Sequence, residues 1–439
     1  GSYLPEPGWR VRYRLRDGTT EERAEEYSGW VTNSGTVGIT HTLPESSPAE
    51  SLEEDQARDL AQAAIIEAYN IDFENLTELE AKSEKKPNRM DWFFRYRDNQ
   101  NQVDVGDGEL RINIKIAGAE ITNIWKDVFV PEDWLRSEEE KQSKNMPFSL
   151  IEALVIALTI LLAVVFAIVR WSKKKFSISI FIKSLIFLMV LRIVSLLNNL
   201  SNTIWNFSTS KPYASQLYQS IFSDLVMSVL FMSFIAALII GLTHKLIQEN
   251  RNNQSLFIDG IYLGIFASGI LSFVYSLYPQ IEPSIGRTWD LNYEIPILGG
   301  LLSFVGNFIQ MTLLYLTISI GLTSVTQNWS KLLPAGIIYT IALGFVASMN
   351  GNSTFESLLV WISSSLVLSL IIYAIHRDFI QYNVHLIPIT VGTMIGLNII
   401  RYGIINSHSG VYLIAVLSVL SVATLAYIWS KQLMKIVEK

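Results

Sequence analysis

Residues 148–175 read FSLIEALVIALTILLAVVFAIVRWSKKK. Twenty-two residues containing one carboxylate, Glu152, are followed directly by Arg170, Lys173, Lys174 and Lys175. A hydrocarbon core about 30 Å thick needs roughly 20 apolar residues in a helix, so this run reads as a membrane crossing. The cations that close it mark the cytoplasmic side, where Lys and Arg are retained.

Working outward, eight more runs have the same character: Ile178 to Leu200, Ile221 to Leu242, Leu256 to Leu277, Pro296 to Leu322, Leu332 to Ser348, Leu358 to Ile375, Val384 to Ile400 and Val411 to Trp429. The sixth and eighth of the nine are short, and Pro388 lies near the start of the eighth. Alternating the nine runs puts eleven Lys/Arg on the side of Arg170 and three on the other: Lys211, Arg287 and Arg401. This asymmetry predicts a cytoplasmic C-terminus and an extracytoplasmic N-terminal region. Export of that region implies a signal anchor upstream of the opening GSYLPEPGW.

Composition agrees: 50% of the 439 residues are hydrophobic and 17% charged, against roughly 25% charged in soluble domains. Residues 1–147 hold 18 Lys/Arg against 30 Asp/Glu, a net −12, and residues 148–439 hold 16 against 10, a net +6. Two domains follow, 1–147 soluble and 148–439 in the membrane. An acidic exposed domain gives nucleic acid no basic surface to bind. No cysteine is present, which excludes disulfides, thiolate nucleophiles and Cys-ligated zinc. H-E-x-x-H, G-x-S-x-G and a phosphate-binding glycine loop are absent, so no metal or nucleotide cofactor is expected.

In residues 1–147, Ala57, Leu60, Ala61, Ala64, Ile65 and Ala68 recur at the spacing of one buried helical face. Around them lie β-rich runs, WRVRYRLRD (9–17), SGWVTNSGTVGITHTL (28–43), DWFFRYRD (91–98), ELRINIKIAG (109–118) and EITNIWKDVFV (120–130), punctuated by turn residues. The expected architecture is α+β, one helix on an antiparallel sheet. At the helix start, Ser51 and Glu54 spell a capping box, and Glu54 and Arg58 are four residues apart for an ion pair.

The segment from EEDQARDLAQAAIIEAYNID through KPNRMDWFFRYRD and GELRINIKIAGAEIT to VFVPEDWLRSEEEK, followed by a membrane run, resembles the N-terminal region of long members of the CAAX protease and bacteriocin-processing family. The helix and its paired strands are also similar to PepSY-like domains of bacterial envelope proteins. The resemblance implies a bacterial cytoplasmic-membrane protein with an extracytoplasmic domain. In that family an E-E-x-x-x-R helix and an F-x-x-x-H helix, both in the membrane, carry catalysis. Here the one E-E-x-x-x-R, Glu53 to Arg58, lies far from any apolar run, and none of His244, His376, His385 and His408 follows a phenylalanine by four residues. No catalytic residue is carried over.

An ionisable group in a membrane run is a functional candidate. Lys183 and Asp259 lie near cytoplasmic ends and can snorkel. Arg192 and Asp224 fall at comparable depth on consecutive runs, which predicts an ion pair. In the fifth run Ser303, Asn307, Gln310, Thr317 and Ser324 form a polar stripe suited to helix packing or to lining a cavity. The functional expectation is a sensor or scaffold that presents a protein or peptide partner to a membrane body surrounded by lipid. The alternatives are a carrier or channel using Arg192, Asp224 and the stripe, and a structural subunit of a membrane complex.

Overall fold

A computed structural model describes residues 8–32, 35–100, 108–174, 176–249, 257–277, 294–327, 329–348, 358–381, 383–406 and 410–435. Two compact units emerge: Gly1–Glu139 with Thr203–Ser220, and Glu140–Asn202 with Ile221–Lys439.

In the first unit β1 (Trp9–Arg14), β2 (Glu26–Thr32) and β3 (Gly35–Thr42) form an antiparallel three-stranded sheet. The short α1 (Thr20–Ala24) lies between β1 and β2, and Thr19 and Glu22 cap it reciprocally. A second sheet, β4 (Leu76–Lys85), β5 (Met90–Asp98), β6 (Glu109–Ala117) and β7 (Glu120–Phe129), is an antiparallel meander. The register aligns Phe94 with Ile114 and Tyr96 with Ile112, so these side chains share one face. Helix α2 (Glu54–Tyr69) packs there through Ala57, Ala61 and Ile65, all fully buried. Asn70 ends the helix in the left-handed conformation, its N–H donating to Ile66 O at 2.8 Å.

Three features depart from expectation. Two sheets replace one, and α2 covers the second. Strand β4 was not anticipated: LTELEAKSEK has little apolar alternation because it is an exposed edge strand, paired only with β5. The cap of α2 also shifts. Glu53 takes the N-cap position and its N–H donates to Gln56 Oε1 at 3.1 Å, whereas Ser51 Oγ accepts from Met90 N–H at 3.1 Å. The serine thus closes a long-range contact rather than a local one.

The first unit also takes in residues 203–220, which lie between two membrane runs in the sequence. Arginines from β1 and α1 hold this segment by its backbone. Arg12 donates to Trp205 O (2.8 Å), Arg14 to Ile204 O (3.0 Å) and Phe207 O, and Arg23 to Thr209 O (3.2 Å). Two of these carbonyls, Ile204 O and Trp205 O, belong to the last turn of α5 (Leu200–Trp205), where carbonyls run out of intrahelical donors. Arg10 and Arg16 lie over the rings of Trp205 and Tyr213.

The second unit is helical. Its elements are the C-terminal part of α3 (Glu132–Ser172), α4 (Ile178–Asn198), α6 (Tyr213–Asp224) running through a π-helical stretch (Leu225–Met232) into α7 (Ser233–Glu249), α8 (Phe257–Ser276), α9 (Pro296–Gln327), α10 (Trp329–Ser348), α11 (Leu358–Ile375) with a second π-helical stretch (His376–Ile380), α12 (Leu386–Ile405) and α13 (Val411–Lys435). Among the described residues eight helices are long and apolar enough to cross a membrane. The sixth expected run, α10, falls short by that measure: it carries Pro334, and its apolar stretch is Gly336–Ser348.

Small residues bring these helices together, as expected where lipid supplies no hydrophobic drive between them. A Cβ on Gly260 or Gly264 of α8 would lie 2.8 Å from Ile389 Cβ or 2.6 Å from Thr393 Cβ of α12. On α10 a Cβ at Gly344 would run into Ser369 Oγ and Ser365 O of α11, and Ser348 and Ser365 hydroxyls meet at 2.7 Å. Phe308 of α9, fully buried, lies in the main apolar cluster with residues of α12 and α13.

Candidate functional site

The E-E-x-x-x-R of the first unit is a charge network on the solvent side of α2. Arg58 meets Glu54 at 2.6 Å, Asp55 at 3.2 Å and Glu78 of β4 at 3.1 Å. Glu54 and Arg58 of the motif thus satisfy each other and their neighbours. Among the described residues no group of His, Asp and Glu is arranged to hold a metal ion.

A different feature stands out in the second unit. A cavity of about 1200 Å³ lies among α3, α4, α7, α8, α9, α10, α11 and α12. Its wall is chiefly Leu, Ile, Val, Ala and Phe, interrupted by a few polar groups that include Arg192, Ser195, Gln310, Thr317 and His376. The volume exceeds the roughly 300–1,000 Å³ of most small-molecule sites. Both π-helical stretches reach it, the first through Phe231 and Met232 and the second through His376 and Ile380. Such departures from α-helical winding occur often at functional sites.

Helix α4 carries Arg192 six residues before its last residue, Asn198, which is about 9 Å along the axis at 1.5 Å per residue. Its Nη1 donates to Ser228 Oγ at 3.0 Å, inside the first π-helical stretch. The expected pair with Asp224 is not formed: Asp224 is exposed and makes no ion pair among the described residues. Ser228 follows Asp224 by four residues, and in this stretch the winding is looser than 3.6 residues per turn, so sequence spacing alone misplaces which side chain faces α4.

Near the other end of α11, His376 is 2% exposed and 3.3 Å from Thr323 Oγ1. That hydroxyl also donates to Ser319 O at 2.8 Å.

The expected polar stripe of α9 divides. Gln310 and Thr317 line the cavity, Thr317 donating to Leu313 O at 2.7 Å, whereas Asn307 is exposed and outside the lining. Ser303 is half-buried and also outside it, and the side chain of Ser324 lies outside the described residues. Of the four candidates, then, the fold brings Arg192 and Gln310 to one cavity and leaves Asp224 and Asn307 away from it. Ser195, Ser228 and His376 were not anticipated. Ser195, three residues after Arg192 on the same helix, was the most legible of them.

No protein-family model, no curated protein and no solved structure matches this chain.

Proposed function

We propose that the membrane unit holds an apolar or amphipathic molecule within the bilayer, in the manner of a carrier. The observation that carries this reading is the cavity itself: about 1200 Å³, apolar over most of its wall, with Arg192, Gln310 and His376 among its few polar groups. Gly306 offers a direct test. It lines the cavity, and a Cβ there would meet nothing within 4 Å, so Gly306→Leu starts its side chain in open volume. Native mass spectrometry of detergent-extracted protein should find a retained lipid-sized adduct that Gly306→Leu loses. Equal retention by both proteins would sink the reading.

The topology that goes with it has the N-terminal unit outside the cytoplasm, in a bacterial cytoplasmic membrane, with α10 as a ninth crossing. Eleven Lys/Arg against three support the orientation. Residues 203–220 belong to the N-terminal unit although two membrane helices intervene, as an even number of crossings requires. Ser83 and Ser172 are both exposed. In this cysteine-free chain Ser83→Cys should react with an impermeant thiol reagent in intact cells, and Ser172→Cys only after permeabilisation.

A second reading, in which the N-terminal unit presents a protein or peptide to a protease-like membrane body, is favoured by α2 lying on four antiparallel strands and by the resemblance of residues 50–150. A photo-crosslinker at Lys115, exposed on β6, should then trap one defined extracytoplasmic protein in cells. A failure to trap any would remove this reading.

A further inference from the structure

Resting on the cavity reading, we infer that Arg192 is the head-group site of the cavity and binds the anionic head of an amphiphile whose chains lie along the apolar wall. Two observations meet here. The first is a cation with no counter-ion among the described residues. Among the described residues half-buried Arg192 makes one hydrogen bond, to the neutral Ser228 hydroxyl, and pairs with no carboxylate. A guanidinium has five N–H donors, and a serine oxygen answers one while leaving the charge uncompensated. In a membrane interior such a charge is costly until an anion or water reaches it.

The second observation is what surrounds it. Arg192 and Ser195 lie three residues apart on α4, one face of the helix, and both line the cavity. Beyond them the wall is mostly hydrocarbon. Phosphate or carboxylate oxygens accept two parallel N–H bonds from a guanidinium, so the polar end suits an acidic head and the remainder suits acyl chains. A free anion would leave the apolar volume unused. Arg192 lies about 9 Å inside the end of α4, a depth at which a phosphate drawn slightly below the interface and an extended arginine meet. Snorkelling to bulk water is the competing account, and it requires no lipid.

The test uses the full chain purified in a neutral detergent and three probes: dioleoylphosphatidate, dioleoylglycerol and inorganic phosphate. The two lipids share chains and differ in the phosphate. Binding read by thermal shift and native mass spectrometry should favour the phosphatidate by roughly tenfold, the scale of a charge-assisted hydrogen bond. Arg192→Met should abolish that preference while leaving dioleoylglycerol binding unchanged, and Arg192→Lys should keep part of it. The melting temperature of Arg192→Met without lipid should equal or exceed that of the parent, since an uncompensated charge has been removed; this confirms folding.

An unchanged preference in Arg192→Met would overturn the inference, as would a shift from inorganic phosphate alone matching that from phosphatidate. Gly306→Leu separates the two levels of the argument. If it blocks both lipids but the lipids bind equally, the cavity stands and the head-group site falls. If it blocks neither, the cavity reading falls as well.

Discussion

His41 shows how one side chain in the first unit joins elements distant in sequence. It lies on β3, buried, with Nδ1 2.6 Å from Glu120 of β7 and Nε2 3.1 Å from Glu25, and its ring stacks on Tyr27 of β2 at 3.9 Å. Burial alone would lower its pKa, but hydrogen bonds to the Glu120 and Glu25 carboxylates outweigh it and the value is raised. A group whose folded pKa exceeds the unfolded one stabilises the fold while it is protonated. The contribution is therefore complete below the unfolded value of about 6.5 and is lost as pH rises through the higher folded value. Melting curves of the purified protein between pH 5 and 9 should show this loss, and His41→Gln should flatten it. A parent that gains stability over the same rise would contradict the assignment. At α2, Glu53→Gln with Glu54→Gln should cost at most about 1 kcal/mol, the scale of a cap and a surface pair, read by the melting temperature.

At the level of elements, the α2 face and the second sheet form one apolar layer in which Ile114 is fully buried between Phe94 and Ile124. Ile114→Ala removes three carbons from a site with no room to collapse and should cost about 2 to 5 kcal/mol, seen as faster hydrogen exchange across β5, β6 and β7. In the membrane unit two glycines of adjacent helices make a matched pair of tests. Gly344→Leu must force α10 off α11, because Ser365 O and Ser369 Oγ occupy the space of its side chain, whereas Gly306→Leu enters open volume. The first should lower the melting temperature by several degrees and the second should leave it unchanged or raise it, since leucine is the better helix former by somewhat under 1 kcal/mol. Equal effects would mean that packing at the two sites is alike.

For the whole molecule the decisive quantity is the parity of crossings. Phe345 meets Trp361 edge to face, and four residues earlier on α10 Ile341 O accepts from Ser369, eight residues later on α11. Descending numbers on α10 face ascending numbers on α11, so the two helices are antiparallel. Helix α10 has 20 residues, about 30 Å at 1.5 Å per residue, a length that could cross beside α11. Nine crossings put Lys431, exposed on α13, on the side opposite Ser83, and eight would put them on the same side. Lys431→Cys should be protected from an impermeant thiol reagent in intact cells under conditions that label Ser83→Cys.

Much of this was legible in the chain. Long apolar runs, the period of α2 and the alternation of β5, β6 and β7 are each dictated by local chemistry, because a backbone in lipid must bond to itself and a buried face must be apolar. Five runs and their turn residues placed six of the seven strands, β2 and β3 sharing one run, and β4 was the one missed, since an exposed edge strand is under no apolar constraint. What Arg192 touches, how the arginines of β1 grip the carbonyls of residues 204–207, and why Ser51 answers Met90 instead of its own helix are settled by groups scores of residues away. The cavity is further still from the sequence. Its lining residues are the same Leu, Ile and Val that fill a core elsewhere, and whether they enclose space or close it depends on how helices held apart or together by particular glycines meet. Composition decides that a segment lies in the membrane; only the three-dimensional fit of side chains decides where the membrane protein is hollow.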